Sequence, residues 1–244
     1  MARVVLITGA SSGIGAAAVR AFEKEGATVV AAARRGPLKW DVAETSRAPE
    51  LIEMIVREHG RLDVLVNNAG VMATARFHEQ DFSELETVMR VNYLGAAALT
   101  RAAVPAMLKQ GAGHVVNVAS MAGMMGFPYM AAYCASKWAL VGLTEALRRE
   151  YYGTGVTFTA LCPGSVDTPM AAKSLADEKL GRLARPKTAE QVAARILDAA
   201  DSKPGEILFG DAPGFLLKIA KFAPELTDWL VHHTYKKAHP LGRN

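Results

Sequence analysis

Six short apolar runs, at residues 4–7, 28–33, 64–66, 114–119, 156–162 and 206–209, alternate with longer segments whose apolar residues recur every three or four positions. That alternation constrains the fold more than any other feature. Parallel strands cannot be joined by a tight turn, and a helical crossover supplies the missing length. The runs are continuously apolar, as strands are when helices cover both faces of a sheet. Segments 15–24, 48–58, 82–110, 133–151 and 189–200 carry the helical spacing and are the expected covering helices. The pattern predicts an α/β fold, a doubly wound parallel sheet with helices on both faces. No repeat, low-complexity tract or linker divides the chain, so residues 1–244 are expected to form a single domain.

Charge and cysteine usage narrow the function classes. A formal charge of +4, with no Lys/Arg run interleaved with aromatics, argues against nucleic acid as a partner. Cys134 and Cys162 lie far apart without metal-type spacing and read as reduced, buried thiols. His114 and the group His232, His233 and His239 lack partners at ligand spacing, and no metal is expected. No apolar stretch reaches membrane-spanning length, and the first strand begins too near Met1 for a leader, so a cytoplasmic protein is expected.

The first strand runs into Thr8-Gly9-Ala10-Ser11-Ser12-Gly13-Ile14-Gly15 and then into a helix. Glycines at a strand-to-helix turn let a diphosphate approach the backbone, and the helix N-terminus presents N–H groups and partial positive charge to it. A tight connection alone would also use such glycines. The second strand ends at Ala33 and is followed by Arg34 and Arg35. NAD-binding folds commonly place an acid near this position for the ribose 2′-hydroxyl, whereas arginine accommodates a 2′-phosphate. Alanine followed by two guanidinium groups therefore points to NADP(H), the competing reading being two solvated surface arginines.

With TGASSGIG at 8–15, NNAG at 67–70, Asn92, Ser120, YCASK at 133–137 and PG at 163–164, the chain resembles the classical short-chain dehydrogenase/reductase family over nearly its whole length. The resemblance implies a Rossmann-like sheet of about seven strands. It implies a catalytic tetrad of Asn92, Ser120, Tyr133 and Lys137, and a diphosphate held at Gly9, Ser11, Ser12, Gly13, Ile14 and Gly15. Asn68, Ala69 and Gly70 would stabilise the fourth strand beside the adenine ribose, with Asp41 and Val42 near the adenine. Pro163, Gly164, Val166 and Thr168 would lie toward the nicotinamide. Lys137 would bond the nicotinamide ribose, and Asn92 would support a water linking that lysine to solvent. One departure is plain: only residues 34–40 separate the second strand from Asp41, so a loop with a very short strand must replace the usual crossover helix.

Tyr133 and Lys137 are four apart, on one face of a helix. An ammonium beside a phenol favours the phenolate, and an oxidised nicotinamide adds positive charge in the same direction, so the Tyr133 pKa is expected below its ordinary value of about 10. Tyr133 would donate a proton to the substrate oxygen in reduction and take one back in oxidation, with Ser120 holding that oxygen. By itself such a pair is more often a packed ring and a solvated amine, and Cys134 between them is read as a packed thiol.

Residues 165–185 are expected to form a substrate lid, and 211–244 a C-terminal helical segment for substrate or interface. Met121, Met124, Met125, Phe127, Tyr129 and Met130 lie between the serine and the tyrosine, and Phe215, Phe222, Leu226 and Trp229 enrich the C-terminal stretch. Flexible thioethers and aromatics suit a bulky apolar ketone, aldehyde or secondary alcohol, although a Met-rich stretch also serves as core. Lysines flanking the apolar C-terminal residues allow peripheral membrane contact or a subunit interface, and a homo-oligomer is expected. The leading function is an NADP(H)-dependent oxidoreductase. The alternative is a nucleotide-sensing binding protein with the same fold and no turnover.

Overall fold

A computed structural model of the chain describes residues 2–174, 186–201, 205–209 and 222–238. Seven strands form one parallel sheet: β1 (Val4–Thr8), β2 (Thr28–Ala33), β3 (Leu38–Lys39), β4 (Val64–Asn67), β5 (Gly113–Val118), β6 (Val156–Pro163) and β7 (Glu206–Phe209). Their spatial order is β3-β2-β1-β4-β5-β6-β7. The chain winds outward from β1 to one edge, then returns past β1 to build the other half. The connections therefore leave β1 and β4 in opposite directions, opening a crevice at their carboxyl ends where sheets of this kind bind ligands.

Alternate strand residues face opposite layers. On one side Leu6, Leu65, Val115 and Phe158 pack against α2 (Ala48–His59) and α4 (Ala96–Gln110), through Leu51, Ile55, Leu99 and Met107. On the other, Val5, Ile7, Val66, Val116 and Leu161 meet α1 (Gly13–Lys24) and a helix at Ala189–Asp201, through Phe22, Val192 and Ile196. A third cluster seats α5 (Ala131–Glu150) through Leu140 and Val141 on Ala119, Ala160 and Cys162. Every residue of β1 is buried, which explains why its run shows no polar alternation.

Helix ends follow local chemistry. Asp81 caps α3 (Phe82–Met89) by accepting from the Ser83 N–H. After α6 (Pro169–Ser174), the Ala189–Asp201 helix, here α7, opens on a capping box in which Thr188 and Gln191 each accept the other's backbone N–H. Helix α8 (Pro224–Ala238) completes the described elements.

The expected helix over 82–110 is continuous but not uniform, because Arg90–Gly95 forms a π-helical turn between α3 and α4. Periodicity could not show this, since one widened turn barely disturbs the apolar spacing. The shortened 34–40 crossover is as the spacing requires, a loop with the two-residue β3. Trp40 is buried in the core beside it, its backbone N–H donating to the Ala33 carbonyl and the Arg47 guanidinium lying 4.7 Å from its ring centroid. Of the two proposed substrate segments, residues 175–185, 211–221 and 239–244 lie outside the described residues. Among those described, Phe222, Leu226 and Trp229 are exposed.

Candidate active site

The nucleotide turn is built by close backbone packing. Gly9 adopts φ +64°, and a Cβ there would stand 2.8 Å from Ala69 Cα. Gly15 needs room: a Cβ would stand 2.3 Å from the Gly9 oxygen and 2.6 Å from Asn68 Nδ2. The Thr8 hydroxyl accepts the N–H groups of Asn68 and Ala69 at 3.0 and 3.1 Å and donates to the Val66 carbonyl. The Asn68 amide donates to the Thr8 carbonyl at 2.9 Å. These bonds lock the 67–70 loop against the turn.

The donors present fit a diphosphate. Helix α1 has no acid in its first turn, and the side chain of its N-cap, Ser12, makes no capping bond. Ser11 and Ser12 are exposed, with Gly13 and Ile14 half-buried beside them. Thr168 roofs this turn, its methyl 3.2 Å from where a Gly13 Cβ would be, and its hydroxyl receives the Ala171 N–H at the start of α6. Pro163 ends β6, the Gly164 N–H bonds to the Phe209 carbonyl, and Val166 bridges to Lys187. Arg34 and Arg35 are exposed after the buried Ala33 and join no ion pair among the described residues. Asp41 accepts the Ala43 N–H, and Val42 presses against Gly95, where its carbonyl leaves 2.6 Å for any Cβ.

Ser120 follows β5 and starts a short 3₁₀ turn, accepting the Ala122 N–H at 3.1 Å. Its hydroxyl also bears on the Tyr133 phenol and favours the ionised form. Lys137, one turn along α5, is buried; its Nζ donates to the Val118 carbonyl at 2.8 Å and stands 5.7 Å from the Tyr133 ring centroid. Gly70 lies above it, so close that a Cβ there would come within 3.4 Å of Asn92 Oδ1 and 3.8 Å of Lys137 Nζ. Asn92 sits in the π-helical turn and bonds both the N–H and the carbonyl of Val71. Ser120, Tyr133, Lys137 and Asn92 thus converge from three different segments at the carboxyl end of the sheet.

The electrostatics differ from the expectation at Tyr133. Burial pushes its phenol up to about 12, and the Ser120 contribution does not cancel this. Lys137 is itself brought down to about 8 by burial, which weakens the cation expected to stabilise a phenolate. Sequence spacing shows only that the two share a helix face. It does not show that the fold strips water from both, and desolvation disfavours each charged form. Burial also raises the Cys134 thiol, whose sulfur accepts the Phe127 N–H, in keeping with a packed cysteine. Of the methionines considered for the pocket, Met121 is buried, and Met124 packs against the cluster that seats α5. Met125, Phe127, Tyr129 and Met130 are half-buried on the loop between Ser120 and Tyr133.

The family profile for short chain dehydrogenases matches residues 3–39 and 36–179. The chain belongs to the short-chain dehydrogenase family. It is 32% identical to a ketoacyl reductase, HetN, of Nostoc sp., over 93% of this chain and 87% of that protein. It is 39% identical to a 3beta-hydroxysteroid dehydrogenase of Mediterraneibacter gnavus, over 72% of this chain and 71% of that one. Among solved structures it is similar to ElxO with NADP bound, at a TM-score of 0.78 and 26% identity, covering 86% of this chain and 97% of that chain. A dehydrogenase/reductase that uses a nicotinamide cofactor is the activity class this family membership supports.

Some supporting residues of this short-chain dehydrogenase were not singled out from sequence. A buried ladder runs from Asn67 to Thr100 and Asn117, and on to Thr144 of α5. Ser136, inside the YCASK motif, bonds Asn92 and the Tyr133 carbonyl. A signal existed, polar residues inside otherwise apolar strands and a helix, but their partners lie far away in sequence. Among the described residues no three His, Cys, Asp or Glu side chains gather to hold a metal, and no helix is long and apolar enough to cross a membrane.

Proposed function

We propose that this short-chain dehydrogenase is an NADP(H)-dependent carbonyl reductase or alcohol dehydrogenase acting on a bulky apolar ketone, aldehyde or secondary alcohol. The observation that carries the reading is the convergence of Ser120, Tyr133, Lys137 and Asn92 beside a glycine turn whose donors fit a diphosphate. Hydride exchange is the chemistry a nicotinamide supplies when bound in such a cleft. Arg34 and Arg35 would hold the 2′-phosphate, the turn at 9–15 the diphosphate, and Thr168 the nicotinamide end.

Ser120 orients the substrate oxygen. Tyr133, protonated at neutral pH because burial raises its pKa, donates to that oxygen in reduction. In oxidation Tyr133 must first lose its proton, which a charged Lys137 assists. The half-buried Met125, Phe127, Tyr129 and Met130, together with the ketoacyl and steroid chemistry named for two relatives, support an apolar substrate. The residues 165–185 and 211–244 serve as substrate lid and as substrate or interface segment. A homo-oligomer fits the exposed Trp138, Leu226 and Trp229, and a cytoplasmic location fits the buried thiols of Cys134 and Cys162.

The test is NADPH consumption with a panel of apolar ketones, for the wild type and for Tyr133→Phe. The variant should bind NADPH normally and lose roughly 10²–10⁴-fold in turnover. Undiminished turnover would refute the assigned proton donor, and NADPH binding without turnover in the wild type would favour a nucleotide sensor.

A further inference from the structure

We infer that Ser136 is a positioning residue for Tyr133, the central link of a hydrogen-bonded strap from Val71 through Asn92 to the Tyr133 backbone. The strap's effect on turnover rests on the function proposed above; its effect on the tyrosine ring does not.

Ser136 is fully buried in α5. Its Oγ donates to the Tyr133 carbonyl at 2.7 Å and accepts from Asn92 Nδ2 at 2.9 Å. The direction is forced, since a carbonyl can only accept and an amide nitrogen can only donate. A buried helical serine can satisfy its hydroxyl with the carbonyl one turn back and need nothing more. The incoming Asn92 amide is what turns Ser136 into a link.

Asn92 is fully engaged at the other end. One amide hydrogen goes to Ser136 and the other to the Val71 carbonyl at 2.9 Å, while Oδ1 accepts the Val71 N–H at 2.8 Å. Both donors are spent on the scaffold, so the side chain acts on the site through Val71 and Ser136. The π-helical turn at Arg90–Gly95 places Asn92 where it can span the two, as such widened turns often do at functional sites.

Three separate segments are thereby joined: the loop after β4, the junction of α3 with α4, and the opening turns of α5. The last bond of the strap falls on Tyr133 itself, and Lys137 is the next residue after Ser136. A strap ending there sets how the opening of α5 is turned, and with it the Tyr133 ring relative to Ser120 and Lys137 Nζ relative to the Val118 carbonyl. Aligned donors in series also strengthen one another in a buried chain.

The test compares Ser136→Ala, Asn92→Ala and their double variant with the wild type, all full-length. Ser136→Ala should keep NADPH dissociation and substrate KM within about twofold while kcat falls roughly ten- to hundredfold, the scale of a small misplacement of reacting groups. The double variant should lose no more turnover than Asn92→Ala. The [ζ-13C]tyrosine NMR signal of Tyr133, assigned by its loss in Tyr133→Phe, should move in Ser136→Ala. If Ser136→Ala does not fold, Ser136→Cys, with its weaker donor, should show the same changes at smaller size. Losses that multiply in the double variant, a loss shared between kcat and NADPH binding, or an unmoved tyrosine signal would overturn the strap. Absence of turnover in the wild type would sink the oxidoreductase function, and the tyrosine signal would still decide the strap.

Discussion

Replacing Gly15 by alanine tests whether the nucleotide turn depends on backbone contact. The added methyl would stand 2.3 Å from the Gly9 oxygen and 2.6 Å from Asn68 Nδ2, so one side must retreat by about an ångström to restore normal van der Waals separation. Gly9 cannot give way easily, because its own left-handed backbone is held against Ala69. Retreat of Asn68 would break its bonds to the Thr8 and Gly9 carbonyls. Overpacking costs about 1–3 kcal/mol, and a lost buried hydrogen bond adds about 1 kcal/mol. The expected total is about 2–4 kcal/mol, which for a chain of this size lowers Tm by roughly 4–16 °C. The assay is thermal and urea unfolding of the nucleotide-free protein alongside NADPH titration, with Gly142→Ala as control. Gly142 lies in α5 with nothing within 4 Å of its would-be Cβ, and alanine there should be neutral or stabilising by about 0.5–1 kcal/mol. Gly15→Ala with wild-type stability and wild-type NADPH affinity would refute the close-packing argument.

Three further outcomes follow from the geometry. Arg34→Ala should weaken NADPH by roughly ten- to hundredfold, as loss of about 1.5–3 kcal/mol of charged hydrogen bonding implies, and leave NADH unchanged; parallel fluorescence titrations decide it. A charged Lys137 favours the phenolate and so also makes Tyr133 a stronger proton donor; reductase turnover should therefore decline as pH rises through about 8, where Lys137 loses its proton, and a kcat profile flat from pH 7 to 9 would contradict that role. His114 is buried between the hydroxyls of Thr157 and Thr159, and burial lowers its pKa to about 4. Its unfolded value lies near 6.5, so the unfolded chain binds the extra proton between those limits. Stability should therefore fall by up to about 3 kcal/mol as pH drops from about 6.5 to about 4. Urea unfolding across that range should show a shallower decline for His114→Gln, and an equal decline would remove the histidine as the cause.

Much of this protein was already legible in its sequence, because the relevant physics is local or periodic. Strand and helix alternation specified a parallel doubly wound sheet, and the glycine turn after β1, the missing acid at Ala33 and the Tyr133/Lys137 spacing each carry meaning within a few residues. The shortness of the 34–40 crossover was likewise a matter of chain length. What tertiary structure decided is everything that depends on partners distant in sequence. Residue spacing predicted a phenol made more acidic by its lysine neighbour; burial of both groups reverses that direction, since desolvation depends on what the whole fold places around them. The widened turn at Asn92, the lock between Thr8 and Asn68, and the bonds of Ser136 likewise arise only when strands and helices are packed. Hydrogen bonds reach about 3 Å in space with no limit in sequence, so a sequence can name the residues of this site but cannot say which of them touch.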